Sequence, residues 1–137
     1  RHFLGAARAL RHHAAMVQVE RRRTRSDDRG EAVRLFLAAN AERTGVRAAV
    51  VSDADGFMIG GIGDVDLDAL AAVGPVFVSG HTPSAQLEQR IEEVVRNHDL
   101  YASRLEVGPH TLVLTSLGAR FPEQRRAELA IGRILNG

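Results

Sequence analysis

The chain has 137 residues, 45% of them hydrophobic, and its 18 basic and 17 acidic side chains leave a net charge of +1; this suits one globular domain with a real core plus an appendage. Cysteine is absent, which excludes disulfides, thiolate zinc sites, iron–sulfur clusters and a cysteine nucleophile. Lysine is absent too, every basic residue being arginine, so a phosphate-loop lysine, Schiff-base chemistry and a lysine base are all excluded.

The small net charge hides an asymmetry. Residues 1–29 hold eight arginines against Glu20, Asp27 and Asp28, a balance of +5, and the remainder holds ten arginines against fourteen acids, a balance of −4. A basic arm thus leads into a mildly acidic domain. No apolar run reaches bilayer-spanning length and no secretory pattern is present, which with the missing cysteines fits a cytoplasmic location. The first residue is Arg1 rather than Met, which leaves open whether the chain is a fragment of a longer protein.

Phe3, Leu4, Ala7, Leu10, Ala14 and Val17 recur at roughly helical spacing, and residues 3–20 read as a helix running into the charged link 21–28. Residues 1–28 therefore read as a basic helical arm and linker, distinct from a domain over 29–137. An arm of this charge could meet nucleic acid, acidic lipid or an acidic protein face. The plainer reading, a solvated helix and linker, is preferred. Nucleic-acid modules usually add stacking aromatics or a recognition helix, and neither is evident. Membrane contact through the arm is likewise not favoured.

Asp27 or Asp28 can cap a second helix with an apolar stripe of Val33, Phe36, Leu37 and Ala41, and Gly45 supplies its stop. Strands are expected at about 47–52 and 57–62, joined by Ser52-Asp53-Ala54-Asp55-Gly56, where Asp bonds its own backbone and Gly takes positive φ. The two acids do not make a calcium loop, because Asp64, Asp66 and Asp68 miss the required register. Gly60-Gly61-Ile62-Gly63 lacks dinucleotide-loop spacing and reads as the loosened end of a strand.

Asp64 or Asp66 caps a helix carrying Leu67, Leu70 and Ala71, with a kink or break expected at Pro75. Beyond it, Val76-Phe77-Val78 fits helix or extended chain equally. Three strands are expected next, at Ile91–Arg96, Leu100–Val107 and Thr111–Leu117, although Gln86–Arg96 also fits a polar helix. A last helix is expected from Pro122, with Ala127, Ala130, Ile131 and Ile134 on one face and Arg133 near its end.

The stretch Val46-Arg47-Ala48-Ala49-Val50-Val51-Ser52-Asp53-Ala54-Asp55-Gly56-Phe57-Met58-Ile59 resembles the opening of the roadblock/dynein light chain family, a relative of the longin and profilin-like folds. Asp64–Ala72 is similar to that family's central helix, and Ile91–Leu117 to its later strands. The resemblance covers about residues 29–136. It implies an α/β domain of the α+β type, roadblock/longin-like in the order αββαβββα, with helices packed on a five-stranded antiparallel sheet and the basic helix as an N-terminal addition.

The same resemblance implies a homodimer joined through central helices and third strands, and binding of a small Ras-like GTPase or scaffolding of signalling and motor complexes. Leu67, Leu70 and Ala71 on the central helix and Ile91, Val94 and Val95 on the third strand are the dimer residues it suggests. Helices mainly on one face of the sheet would leave an apolar surface for the two-fold to bury. No catalytic residue, cofactor or metal is expected. None of the histidines 2, 12, 13, 81, 98 and 110 sits in a hydrolase or H-E-x-x-H context. Any stimulation of GTP hydrolysis would use an arginine finger, unassigned among 18 arginines, or reposition the partner's own residues. The alternative is a ligand-sensing or signalling input domain coupled through the arm to an upstream segment.

Overall fold

The computed structural model describes residues 27–96 and 98–136. The helix expected over 3–20 and the arm's histidines lie outside the described residues. Helix α1 occupies 27–41, and its turn ends at Gly45, whose φ of 77° is left-handed. Strands β1 (Ala48–Asp53) and β2 (Met58–Ile62) follow as a hairpin, then helices α2 (Leu67–Ser79) and α3 (Ala85–Val95). Strands β3 (Leu100–Val107) and β4 (His110–Leu117) form a second hairpin, and α4 (Gln124–Asn136) closes the chain.

The four strands make one antiparallel sheet in the order β2-β1-β4-β3. Its two faces separate by the strand's two-residue period. Ala49, Val51, Leu105, Leu112 and Leu114 point to one side, where Val33 and Leu37 of α1 and Ala127 and Ile131 of α4 cover them. Ala48, Val50 and Leu117 point to the other side, beneath Ala69, Leu70 and Ala71 of α2, with Val94 of α3 joining them. Both faces are thus covered, which corrects the expectation of helices mainly on one face. Helices on each side also explain why Ala48–Val51 of β1 and Leu112–Leu114 of β4 read as unbroken apolar runs.

The first hairpin forms as its turn chemistry requires. Asp53 Oδ1 accepts from the backbone N–H of Asp55 at 2.9 Å and of Phe57 at 3.0 Å, while Gly56 takes φ 92°. Gly60 and Gly61 are not a loosened strand end. Both pair with β1, and a Cβ on Gly60 would lie 2.7 Å from the Gly30 carbonyl oxygen and 2.9 Å from Val33 Cβ. Gly60 lets α1 cross β2 at backbone distance, whereas a Cβ on Gly61 would face Leu67 of α2 at 3.3 Å.

Asp66 caps α2 by accepting from the Ala69 N–H at 3.1 Å. The expected break at Pro75 does not occur: the helix runs through it to Ser79 and ends on left-handed Gly80. Proline denies the Ala71 carbonyl its donor four residues on. Gly56 of the hairpin turn packs beside that carbonyl, its would-be Cβ 3.5 Å from the oxygen. Gly74 brings the helix down on β4, where an added Cβ would overlap the Thr115 hydroxyl.

The main correction concerns Ile91–Arg96, which is not a strand. Residues 91–95 are the last turns of α3, which begins with Ser84 accepting from the Leu87 N–H at 3.2 Å. The sheet therefore has four strands among the described residues, not five. Ile91, Val94 and Val95 stand at helical spacing that packs Val94 inward, and a polar sequence with one apolar row favours helix over a half-buried strand. At the C-terminus, α4 starts at Gln124 rather than Pro122, because Glu123 adopts φ 50°.

Candidate interaction surface

The six residues expected at a dimer surface fall on two neighbouring helices. Leu70 and Ala71 are fully buried and Val94 nearly so, all three in the cluster beneath α2. Leu67 and Val95 are half-buried against that cluster, and Ile91 is also half-buried. The helical layer thus presents Leu67, Ile91 and Val95 in part, while the other three serve the chain's own core. The most exposed large apolar side chains are Phe57 (72%) at the first hairpin turn, Leu35 (54%) on α1, Leu129 (52%) on α4 and Phe77 (48%) near the end of α2.

Polar groups gather between the start of α2 and the end of α3. Asp64, Asp66, Arg90, Glu93, Arg96 and His98 line a cleft of about 400 Å³ there. Arg90 approaches Asp66 at 3.7 Å with both side chains half exposed, so the pair contributes little on its own. Asp66 is already engaged as the α2 cap. No group of three or more histidine, cysteine or acidic side chains with metal-binding geometry occurs among the described residues.

Ser79 Oγ and His81 Nδ1 are 3.0 Å apart at the surface. The serine hydroxyl also lies 3.0 Å from the Val76 carbonyl, which takes its proton in the helix-end bond. The clear titration effect among the described residues is equally local. The Arg34 guanidinium, bonded to Glu31 at 2.6 and 2.8 Å, holds that carboxyl below the usual carboxylate range, and Glu31 in turn raises Arg34. It is an exposed pair on α1.

The second hairpin holds contacts that the sequence did not suggest. Arg104 of β3 donates from Nη2 to the Val78 carbonyl at 3.3 Å, tying the strand to the end of α2. Gln124 of α4 donates to the Arg104 carbonyl at 2.7 Å, and Glu128 accepts from the Glu106 N–H at 2.8 Å. Arg120 lies over the Tyr101 ring at 5.0 Å. The available signal was Glu128 itself, an acid beside Ala127 and three residues before Ile131 on the helix's inward side.

The sheet order, the helices on both faces and the Asp–Gly hairpin define a roadblock/longin-like fold. Among solved structures, it is shared with the gliding protein MglB of Thermus thermophilus, at TM-score 0.51 and 20% identity over 79% of this chain and 91% of that one. A structure of MglB with a tetrameric arrangement matches equally, at TM-score 0.51 and 20% identity, covering 79% and 90%. A Roadblock/LC7 domain from Streptomyces avermitilis overlays more loosely, at TM-score 0.40 and 16% identity over 74% and 90%. No protein-family model matches the sequence, and the comparison with curated proteins gives no match. No helix of the described residues is long and apolar enough to cross a membrane.

Proposed function

We propose that the chain is a non-enzymatic regulatory or scaffold protein of the roadblock type, which forms a homodimer and binds a small Ras-like GTPase or another protein of a signalling or motor complex in the cytoplasm. The observation that carries this reading is the fold: the chain overlays on nearly the whole of MglB, a gliding protein. The tetrameric arrangement of one MglB structure supports self-association as part of the role. The dimer surface is assigned to the outer side of the α2–α3 layer, with Leu67, Ile91 and Val95 as its contacts. Leu70, Ala71 and Val94 act there as the packed floor, since they are buried within the chain.

The GTPase half of the reading is tested by mixing the full chain with Ras-like GTPases loaded with a non-hydrolysable GTP analogue or with GDP. Nucleotide-dependent co-elution at a defined mass is the expected outcome, and hydrolysis followed in parallel separates a stimulator from a scaffold. Absence of any complex across such a panel, with the chain folded and dimeric, would leave the fold without this function. The sensor alternative would instead show as a small molecule that raises the melting temperature of the chain alone.

A further inference from the structure

Strand β3 is an edge of the sheet, and its unpaired backbone groups are a template for another strand. The register settles which groups these are. The Gly118 N–H bonds the Asp99 carbonyl, and Leu105 pairs with Leu112, so odd-numbered residues of β3 address β4. Leu100, Ala102, Arg104 and Glu106 then direct their N–H and C=O groups outward. Two of these outward groups are occupied from within the chain. Gln124 takes the Arg104 carbonyl, and Glu128, its side chain only 15% exposed, takes the Glu106 N–H. Gln124 and Glu128 are one helical turn apart, so a single face of α4 lies along the strand edge.

We propose that Gln124 and Glu128 form a built-in guard on the β3 edge, and that the strand they hold off is β3 of a second copy, paired antiparallel about Leu105. In that two-fold register Arg104 stands opposite Glu106 of the other copy, and Glu106 opposite Arg104. Opposite charges meet on the same face at both rungs, a favourable cross-strand pair. Each rung uses the Arg104 carbonyl and the Glu106 N–H, the two groups that the guard occupies. The guard thus blocks the pairing that the strand's own sequence favours, and it limits the protein to assembly through other surfaces. This inference does not rest on the proposed dimer, because wild-type mass is its reference whatever that mass is.

The test is Gln124→Ala/Glu128→Ala in the full chain, with mass followed by light scattering over a concentration series. The expected result is a concentration-dependent doubling of the wild-type mass, and its reversal when Arg104→Glu is added, since like charges then face each other across the pair. An unchanged mass in a folded variant overturns the proposal. A rise that Arg104→Glu fails to reverse also overturns it, because it means pairing with any available strand. Hydrogen exchange at the Glu106 amide checks the guard directly: exchange should quicken by at least about tenfold in Glu128→Ala at low concentration, and unchanged exchange overturns it. If the double variant does not fold, Gln124→Ala/Glu128→Asp withdraws both contacts while keeping an acid at the position, and it carries the same comparison.

Discussion

Gly60 and Gly74 both admit a close crossing, but what they meet differs. An added methyl at Gly60 runs into the Gly30 carbonyl oxygen and the base of Val33, both fixed to α1. At Gly74 it meets the hydroxyl of Thr115, a buried group without a protein partner, and then Val113 Cγ1 at 3.0 Å. Each alanine substitution should destabilise by about 1–3 kcal/mol, the usual cost of overpacking. The remedies should differ. Thr115→Ala added to Gly74→Ala should recover part of the loss, seen as a favourable coupling in a double-mutant cycle by urea unfolding. Val33→Ala added to Gly60→Ala should recover less, because the backbone oxygen remains. Equal recovery at both sites would mean that side chains, not backbone, set the α1–β2 distance. These glycines were visible in the sequence as Gly60-Gly61 and Gly74-Pro75, yet their purpose was not, because the backbone each one admits comes from a distant segment.

Helix caps were the more legible features at the level of elements. Asp66 stands before an apolar row that begins at Leu67, and it does cap α2. Asp66→Ala should cost about 1 kcal/mol, as N-cap removal generally does. Asp66→Asn should cost much less, since the amide oxygen still accepts from Ala69 while the charge opposite Arg90 is lost. A full loss in the asparagine variant would shift the weight from the cap to the ion pair. On α1, the bond to Arg34 lowers the Glu31 pKa, so the pair's support is present above the ordinary glutamate range and is lost as pH falls through the lowered value. Arg34→Gln should return the Glu31 carboxyl to its ordinary range in an NMR titration, and an unmoved value would remove Arg34 as the cause. The strands at Leu100–Val107 and the first hairpin were legible because alternation and turn residues agree there. Ile91–Arg96 was not, because Ile91, Val94 and Val95 fit either period. What decides is Ser84, whose hydroxyl starts a helix seven residues earlier. Gln124 and Glu128 were illegible for a related reason: a strand edge exists only once the sheet order is known.

For the whole molecule, the covered sheet limits how two copies can meet. With α1 and α4 on one face and α2 on the other, no sheet face of the described residues remains to be buried by a dimer. A two-fold must then use helix exteriors or sheet edges, and the β3 edge is partly closed by α4. The β2 edge carries exposed Phe57 and Met58 near its turn, but its Gly60 is held against α1. Of the helix exteriors, the outer side of the α2–α3 layer is the one on which the proposed dimer is placed. Ile91→Glu/Val95→Glu should therefore give a monomer by light scattering while circular dichroism keeps the wild-type helix content. Because both side chains are half-buried, a loss of stability of about 1–3 kcal/mol should accompany the change, as for other charges brought against apolar contacts. Phe57→Ser, at the opposite edge, should leave the mass unchanged and serves as the surface control. If instead the Ile91/Val95 variant stays dimeric and Phe57→Ser dissociates it, the two-fold lies at the first hairpin. The proposed GTPase partner would then have the α2–α3 layer as its open face.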